Sequence, residues 1–98
     1  MEPIWYVYIL RCADDTLYTG ISTDVEKRLQ AHQSGRGAKY TRSRCPLTLV
    51  YWEVCGAHSQ ALKREYQIKS MTRAEKLQLI RQGPEAEGQQ IAGEDRNI

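Results

Sequence analysis

An unbroken apolar and aromatic run, Ile-Trp-Tyr-Val-Tyr-Ile-Leu, occupies residues 4–10. Its β-branched and aromatic side chains predict a buried strand. Asp14-Asp15-Thr16 is a turn signal, and residues 17–21 (Leu-Tyr-Thr-Gly-Ile) resume the strand pattern. The two runs together predict a hairpin. Gly20, near the end of the second run, marks a place where backbone or ligand comes close. The period then changes. Thr23-Asp24-Val25-Glu26 matches a capping box, Val25, Leu29 and His32 follow at helical spacing, and Ser34-Gly35-Arg36-Gly37 ends the helix. A loop with four bases and no acid follows (Arg36, Lys39, Arg42, Arg44), closed by Pro46.

Residues 47–54 predict a third strand, and Gly56 and Ser59 mark the turn and cap before a long helix over 60–71. Thr72-Arg73-Ala74-Glu75 is a second capping box. It opens a short helix through Leu77, Leu79 and Ile80, which Gly83-Pro84 stops. The order is ββα-β-αα, which predicts an α+β sandwich in a single domain over residues 1–83. Residues 84–98 are polar and acidic with little to bury, and are expected to form a disordered tail.

Length and charge sharpen this picture. A 98-residue chain is one small domain, and such a domain buries roughly two thirds of its unfolded surface. A large apolar cavity is therefore not expected; a surface or shallow cleft is. The net charge of +2 is unevenly spread, because without the tail 13 bases face 8 acids. A basic body suits a polyanionic partner. Cys12, Cys45 and Cys55 are odd in number and form no Cys-x-x-Cys pair, which argues against a disulfide framework or structural zinc. They read as buried or half-buried thiols in a reducing compartment. The apolar run at residues 4–10 is too short for a signal peptide or membrane span and has no basic region before it. A soluble, cytoplasmic protein with no membrane partner is expected.

Several side chains could carry chemistry, and each has a plainer reading beside it. Arg28 and His32 are four apart and share a helix face; they could equally be a solvated arginine and a partly buried histidine. Glu65 falls between Ile68 and Leu62 on the helical wheel, with Ala61 beside them. A carboxylate on a packing face needs a partner, which an arginine, a lysine or a metal ion could supply. Tyr8 and Tyr18 could project from one face of the hairpin, or simply pack there. In the run from His32 to Arg42, glycines permit phosphate approach, bases neutralise it, and Tyr40 could stack on a nucleobase. The same run could be an ordinary flexible basic loop.

With these residues in place, the chain resembles the GIY-YIG nuclease superfamily. Tyr6-Val7-Tyr8 corresponds to the first motif and Tyr18-Thr19-Gly20 to the second. The motif arginine falls on Arg28, the histidine on His32 and the metal-binding glutamate on Glu65. The likeness spans residues 4–82 and is strongest to the small stand-alone bacterial subgroup of YhbQ type, which Gly35-Arg36-Gly37-Ala38-Lys39-Tyr40 also resembles. Gly and Ile of the first motif are replaced by Tyr6 and Val7, and Ile of the second by Thr19. No counterpart of the active-site asparagine of some family nucleases is found, nor an attached DNA-recognition domain.

The resemblance implies a three-stranded antiparallel sheet flanked by helices. It also implies hydrolysis of phosphodiesters in nucleic acid, DNA rather than RNA, in DNA repair or processing. One Mg²⁺ or Mn²⁺ would be held by Glu65, waters and substrate oxygens. Arg28 would hold the scissile phosphate, Tyr8 would act as general base or position the water, and Tyr18 and His32 would orient both. Gly20, Arg36, Lys39, Tyr40, Arg42 and Arg44 would contact the nucleic acid. Two other readings stand beside the enzyme: a catalytically weak or inactive nucleic-acid-binding module, and a small protein-interaction domain.

Overall fold

The computed structural model describes residues 2–83; the segment 84–98, expected to be a disordered tail, lies outside the described residues. The elements follow the expected order, with strands β1 (Trp5–Arg11) and β2 (Leu17–Ser22), helix α1 (Val25–Gln33), strand β3 (Thr48–Gly56), and helices α2 (His58–Lys69) and α3 (Arg73–Gln82). The sheet is antiparallel throughout in the order β2-β1-β3. The most apolar strand therefore lies in the middle, and Val7, Tyr8, Ile9 and Leu10 are all buried. A strand covered on both faces needs such a continuous run rather than an alternation.

Successive side chains of β1 point to opposite faces, so β1 feeds two cores. Val7 and Ile9 pack with Tyr51 and with Ile68 of α2, and Met71, Leu79 and Ile80 extend that cluster toward α3. Tyr8 and Leu10 pack on the other face with Cys12 and Leu47, joined by Val25 and Leu29 of α1. The α2 side also holds a polar group. Glu53 accepts hydrogen bonds from the Tyr51 hydroxyl and from Arg64 Nε, the latter at 3.0 Å. Burial, then the bond to Glu53, pushes the Tyr51 phenol above its ordinary range.

Element ends show where local chemistry departed from the expected pattern. The cap of α1 is Asp24, whose Oδ1 accepts from Lys27 N at 3.1 Å. Thr23 is therefore one residue too early, and Glu26 sits in the first turn rather than closing a capping box. The expected box at Thr72 and Glu75 is formed, with both reciprocal bonds present. Strand β3 runs on to Gly56, which pairs with Trp5, and the chain turns there at φ +93° straight into α2. Helix α2 thus starts at His58 with Ala57 as a cap that makes no side-chain bond, and Ser59 lies inside it. The basic loop carries a short 3₁₀ turn, Lys39–Thr41, which the sequence pattern did not reveal.

Placing α2 against the sheet makes Ile68 fully buried and leaves Leu62 45% exposed. Ile68→Ala is expected to cost about 2–5 kcal/mol, and Leu62→Ala less than about 0.5 kcal/mol. Urea unfolding midpoints of the two variants check this, and similar losses would contradict the seating of α2.

Candidate active site

Register decides which side chains can meet. Tyr8 pairs with Gly20 and Leu10 with Tyr18, so Tyr8, Tyr18 and Gly20 share one sheet face. The Tyr8 ring lies across Gly20 on the edge strand: a Cβ added at Gly20 would come within 2.6 Å of the Tyr8 hydroxyl and 3.2 Å of the Tyr18 ring. The close approach expected at Gly20 is thus made first by the protein's own tyrosine. It carries the Tyr8 hydroxyl from the middle strand toward the β2 edge of the sheet.

Helix α1 covers the same face and brings His32 to this hydroxyl. His32 Nε2 and Tyr8 Oη are hydrogen-bonded at 3.0 Å, and both residues are buried. The imidazole also lies edge-on to Tyr8 and Tyr18, with ring centroids 6.1 and 5.3 Å away. Its other nitrogen, Nδ1, is 2.8 Å from Thr41 Oγ1. Arg28, one helical turn before His32, lies near enough for its positive charge to favour the ionised form of the Tyr8 hydroxyl. Burial, then the Arg28 charge, pushes the His32 imidazole below its ordinary pKa, so it is neutral at pH 7. Burial, then the neighbouring Tyr18, raises the Tyr8 phenol to about 12 against the opposing pull of Arg28.

Glu65 approaches from α2. It is partly buried, with its neighbours Ala61 and Ile68 fully so, and its charge adds to the rise at Tyr8. Its Oε2 pairs with Lys69 Nζ at 3.2 Å, the lysine partner that a carboxylate beside a packing face called for. Lys69 is 55% exposed and Glu65 20% exposed at the side chain, so the ammonium is a solvated partner that can be displaced.

Four of the expected residues therefore bear on the fifth, Tyr8: His32 by a hydrogen bond to its hydroxyl, and Tyr18, Arg28 and Glu65 through their electrostatic influence on it. The basic loop divides. Arg36, Lys39 and Arg42 are exposed. Arg44 is engaged within the fold, with Nε on Asp14 at 3.0 Å, Nη1 on the Tyr40 carbonyl at 2.6 Å, and its guanidinium 3.9 Å over the Tyr40 ring. Tyr40 also stacks on Tyr18 with centroids 5.9 Å apart. These contacts tie the loop to the tyrosine pair and make Tyr40 a wall of the site.

Two recesses flank α1. One of about 450 Å³ is lined largely by apolar and aromatic side chains, among them Tyr6, Leu29, Leu49 and Trp52, and touches none of the five residues. The smaller, about 230 Å³, is lined by Ser22, Thr23, Asp24, Lys27, Arg28 and Ala31. It is the recess whose hydroxyls and cations suit a phosphodiester, and it adds Lys27, which no motif marked. Thr41 and Gly37 were missed as well: a Cβ at Gly37 would run into the His32 ring and come within 2.8 Å of its Cα.

Fold and grouping define a class, a nuclease-type α+β domain, and the comparisons agree. Residues 4–78 match the GIY-YIG catalytic domain. A UPF0213 protein of Syntrophus aciditrophicus is 63% identical over 81 residues, covering 82% of this chain and 93% of that one. A UPF0213 protein of Haloquadratum walsbyi is 52% identical over 83 residues, covering 85% and 93%. The solution structure of the UPF0213 protein BH0048 of Bacillus halodurans superposes with a TM-score of 0.54 at 44% identity, over 81% of this chain and 84% of that one. The chain belongs to the GIY-YIG family, among its UPF0213 members. Among the described residues no helix is long and apolar enough to cross a membrane.

The raised Tyr8 pKa has a consequence for stability. The folded state holds the Tyr8 proton up to about pH 12, whereas an unfolded tyrosine releases it near pH 10. The stabilisation is therefore complete below pH 10 and is lost as pH rises toward 12. Titration of phenolate absorbance should show a late-ionising tyrosine that Tyr8→Phe removes, and urea midpoints should fall less steeply above pH 10 in that variant. A Tyr8 that ionises near pH 10 would contradict the burial described.

Proposed function

We propose that this protein is a metal-dependent phosphodiesterase that cleaves nucleic acid, DNA rather than RNA. The observation that carries this reading is the buried Tyr8–His32 hydrogen bond, with Tyr18 packed on the same imidazole and the charges of Arg28 and Glu65 acting on the same hydroxyl. Structural packing alone needs no arginine, histidine and carboxylate around a phenol. Phosphodiester hydrolysis needs an oriented water and positive charge on the phosphoryl oxygens.

The residues fit a divalent metal of the Mg²⁺ or Mn²⁺ kind. Among the described residues no group of three or more His, Cys, Asp and Glu side chains forms a protein-only cage. Magnesium sites commonly use one or two carboxylates and leave the remaining positions to water and substrate phosphate. Glu65 supplies one hard oxygen donor with a displaceable partner, which suits that pattern. A bound ion would act as a Lewis acid toward the leaving oxygen.

The chain's own groups do the rest. The Arg28 fork pairs with the scissile phosphate, which sits in the polar recess beside Ser22 and Lys27. The Tyr8 oxygen receives the proton of the attacking water. Because Tyr8 is a protonated phenol at neutral pH, it must give up its own proton as it accepts another, and His32 is the neighbour placed to take it. Tyr18 and Tyr40 wall the site. Arg36, Lys39 and Arg42 contribute affinity along the backbone rather than sequence readout. A role in DNA repair or processing and a reducing, cytoplasmic setting for the three cysteines complete the reading.

A second reading, a binding module with weak or no turnover, draws support from the Glu65–Lys69 pair, which occupies the one carboxylate. Cleavage assays separate the two, using labelled single-stranded, duplex and branched DNA and RNA with Mg²⁺, Mn²⁺ or EDTA. Glu65→Gln is expected to lower metal-dependent cleavage by about a hundredfold or more, with binding largely kept. Arg28→Ala should cost about a hundredfold in turnover and less in affinity. Salt-sensitive binding without cleavage on any substrate would favour the binding module, and full activity in Glu65→Gln would sink the metal assignment.

A further inference from the structure

We propose that Thr41 is a positioning residue that holds His32 in the tautomer carrying its proton on Nδ1, so that the bare Nε2 accepts the Tyr8 hydroxyl proton. The inference rests on the nuclease reading for its consequence, but its structural half stands on hydrogen-bond geometry alone.

Thr41 is fully buried, at the end of the 3₁₀ turn. Its hydroxyl has one hydrogen to give. Two oxygen-directed partners compete for the roles around it: the Ala38 carbonyl at 3.0 Å and His32 Nδ1 at 2.8 Å. A carbonyl can only accept, so a bond to Ala38 O uses the Thr41 hydrogen. Thr41 Oγ1 is then an acceptor toward His32, and Nδ1 must carry the proton. Nε2 is left bare and accepts from Tyr8 Oη at 3.0 Å. All three contacts in this arrangement lie within the normal range.

The opposite arrangement is poorer. A bare Nδ1 would accept from the Thr41 hydroxyl and from the Ala38 backbone N–H, which is aimed at it from 3.4 Å, a long and weak bond that the favoured arrangement gives up. That choice exchanges a 3.0 Å bond for a long one and turns Nε2–H onto the Tyr8 oxygen. It would occupy a lone pair that the attacking water needs.

The fold holds this geometry from two more sides. Gly37 leaves the space that the imidazole occupies, since any Cβ there would strike the ring. The Cys45 thiol lies between the end of α1 and the 3₁₀ turn, with the His32 carbonyl at 3.6 Å and the Thr41 carbonyl at 3.8 Å as alternative acceptors for its one hydrogen. His32 and Thr41 are both fully buried. His32 touches Tyr8 and Thr41 touches His32, so both act through the tyrosine.

In the proposed reaction the proton count closes. The water oxygen bonds to phosphorus as its O–H breaks, and that proton moves to the Tyr8 oxygen. The original Tyr8 proton moves to His32 Nε2, giving an imidazolium. The bond from phosphorus to the leaving oxygen breaks, and that oxygen takes a proton from solvent. His32 later returns its proton through Tyr8. Tyr8 never exists as a free phenolate, which its burial makes unfavourable.

The test reads the ring nitrogens directly. Histidine-selective ¹⁵N labelling of the full chain, with two-bond correlation to the ring carbon protons, shows which nitrogen is bare; the chain has 2 histidines, and His58→Gln assigns the spectrum. The expected result is a protonated Nδ1 and a bare Nε2 for His32 in the wild type and in Thr41→Ser, with the preference lost or reversed in Thr41→Val. Where Thr41→Val is folded, its kcat should fall about 10- to 100-fold with KM within about threefold, and Thr41→Ser should restore most of it. A bare Nδ1 in the wild type overturns the proposal whether or not Thr41→Val folds, as does a Thr41→Val protein with unchanged tautomer and kcat. Absence of cleavage by a wild type that shows the expected tautomer would count against the nuclease reading alone.

Discussion

The buried hydrogen bond between Tyr8 and His32 joins the middle strand of the sheet to the last turn of α1, and much of the molecule is arranged around it. Two polar side chains removed from water must satisfy each other or lose about 1–3 kcal/mol apiece. They can do so here only because two glycines stand where a side chain would intrude. Gly20 gives room to the tyrosine ring and Gly37 to the imidazole. Thr41, Cys45 and the Arg44–Tyr40 contact then fix the loop that closes over them.

That constraint explains the division of labour between the two faces of the sheet. The α2 and α3 side is a conventional apolar core with one paired Glu53–Arg64 bridge. The α1 side trades part of its core for polar groups, and the tyrosine that lies at its centre is also the group nearest the proposed chemistry. Placing a phenol there raises its pKa and makes it a poor base alone. A neutral histidine directly behind it is the compensation, and a base of this compound kind can operate near neutral pH where a lone buried tyrosine cannot. The charges of the carboxylate on α2 and the arginine on α1 act on the same hydroxyl, so the proposed chemistry needs neither a deep cavity nor a protein-only metal cage.

Much of this was legible in the sequence because it depends on local pattern. The continuous run through Ile9 predicted the covered middle strand, the turn at Asp14 and Asp15 predicted the hairpin, and Thr72 with Glu75 predicted the start of α3. The α+β class followed from the order of strand and helix patterns, and the family from the resemblance of Tyr6-Val7-Tyr8, Tyr18-Thr19-Gly20, Arg28, His32 and Glu65 to its motifs. What stayed hidden depends on contacts across the fold. Asp24 and Thr23 are both good caps, and only the geometry of the turn after β2 selects Asp24. Arg44 reads as a free base until Asp14, 30 residues earlier, is brought beside it. Gly20 reads as a ligand approach until the strand register lays Tyr8 over it. Thr41 carries no motif at all, because its meaning comes from an imidazole nine positions before it.

The most direct measurement is the single-turnover cleavage rate of Tyr8→Phe against the wild type, at saturating Mg²⁺ or Mn²⁺, on whichever substrate the wild type cuts. The substitution removes one oxygen and keeps the ring that fills the space over Gly20. A folded Tyr8→Phe that still binds substrate and cleaves it at least about a hundredfold more slowly is the expected result. A folded variant that cleaves at the wild-type rate would contradict the assignment of the buried hydroxyl as the centre of the site.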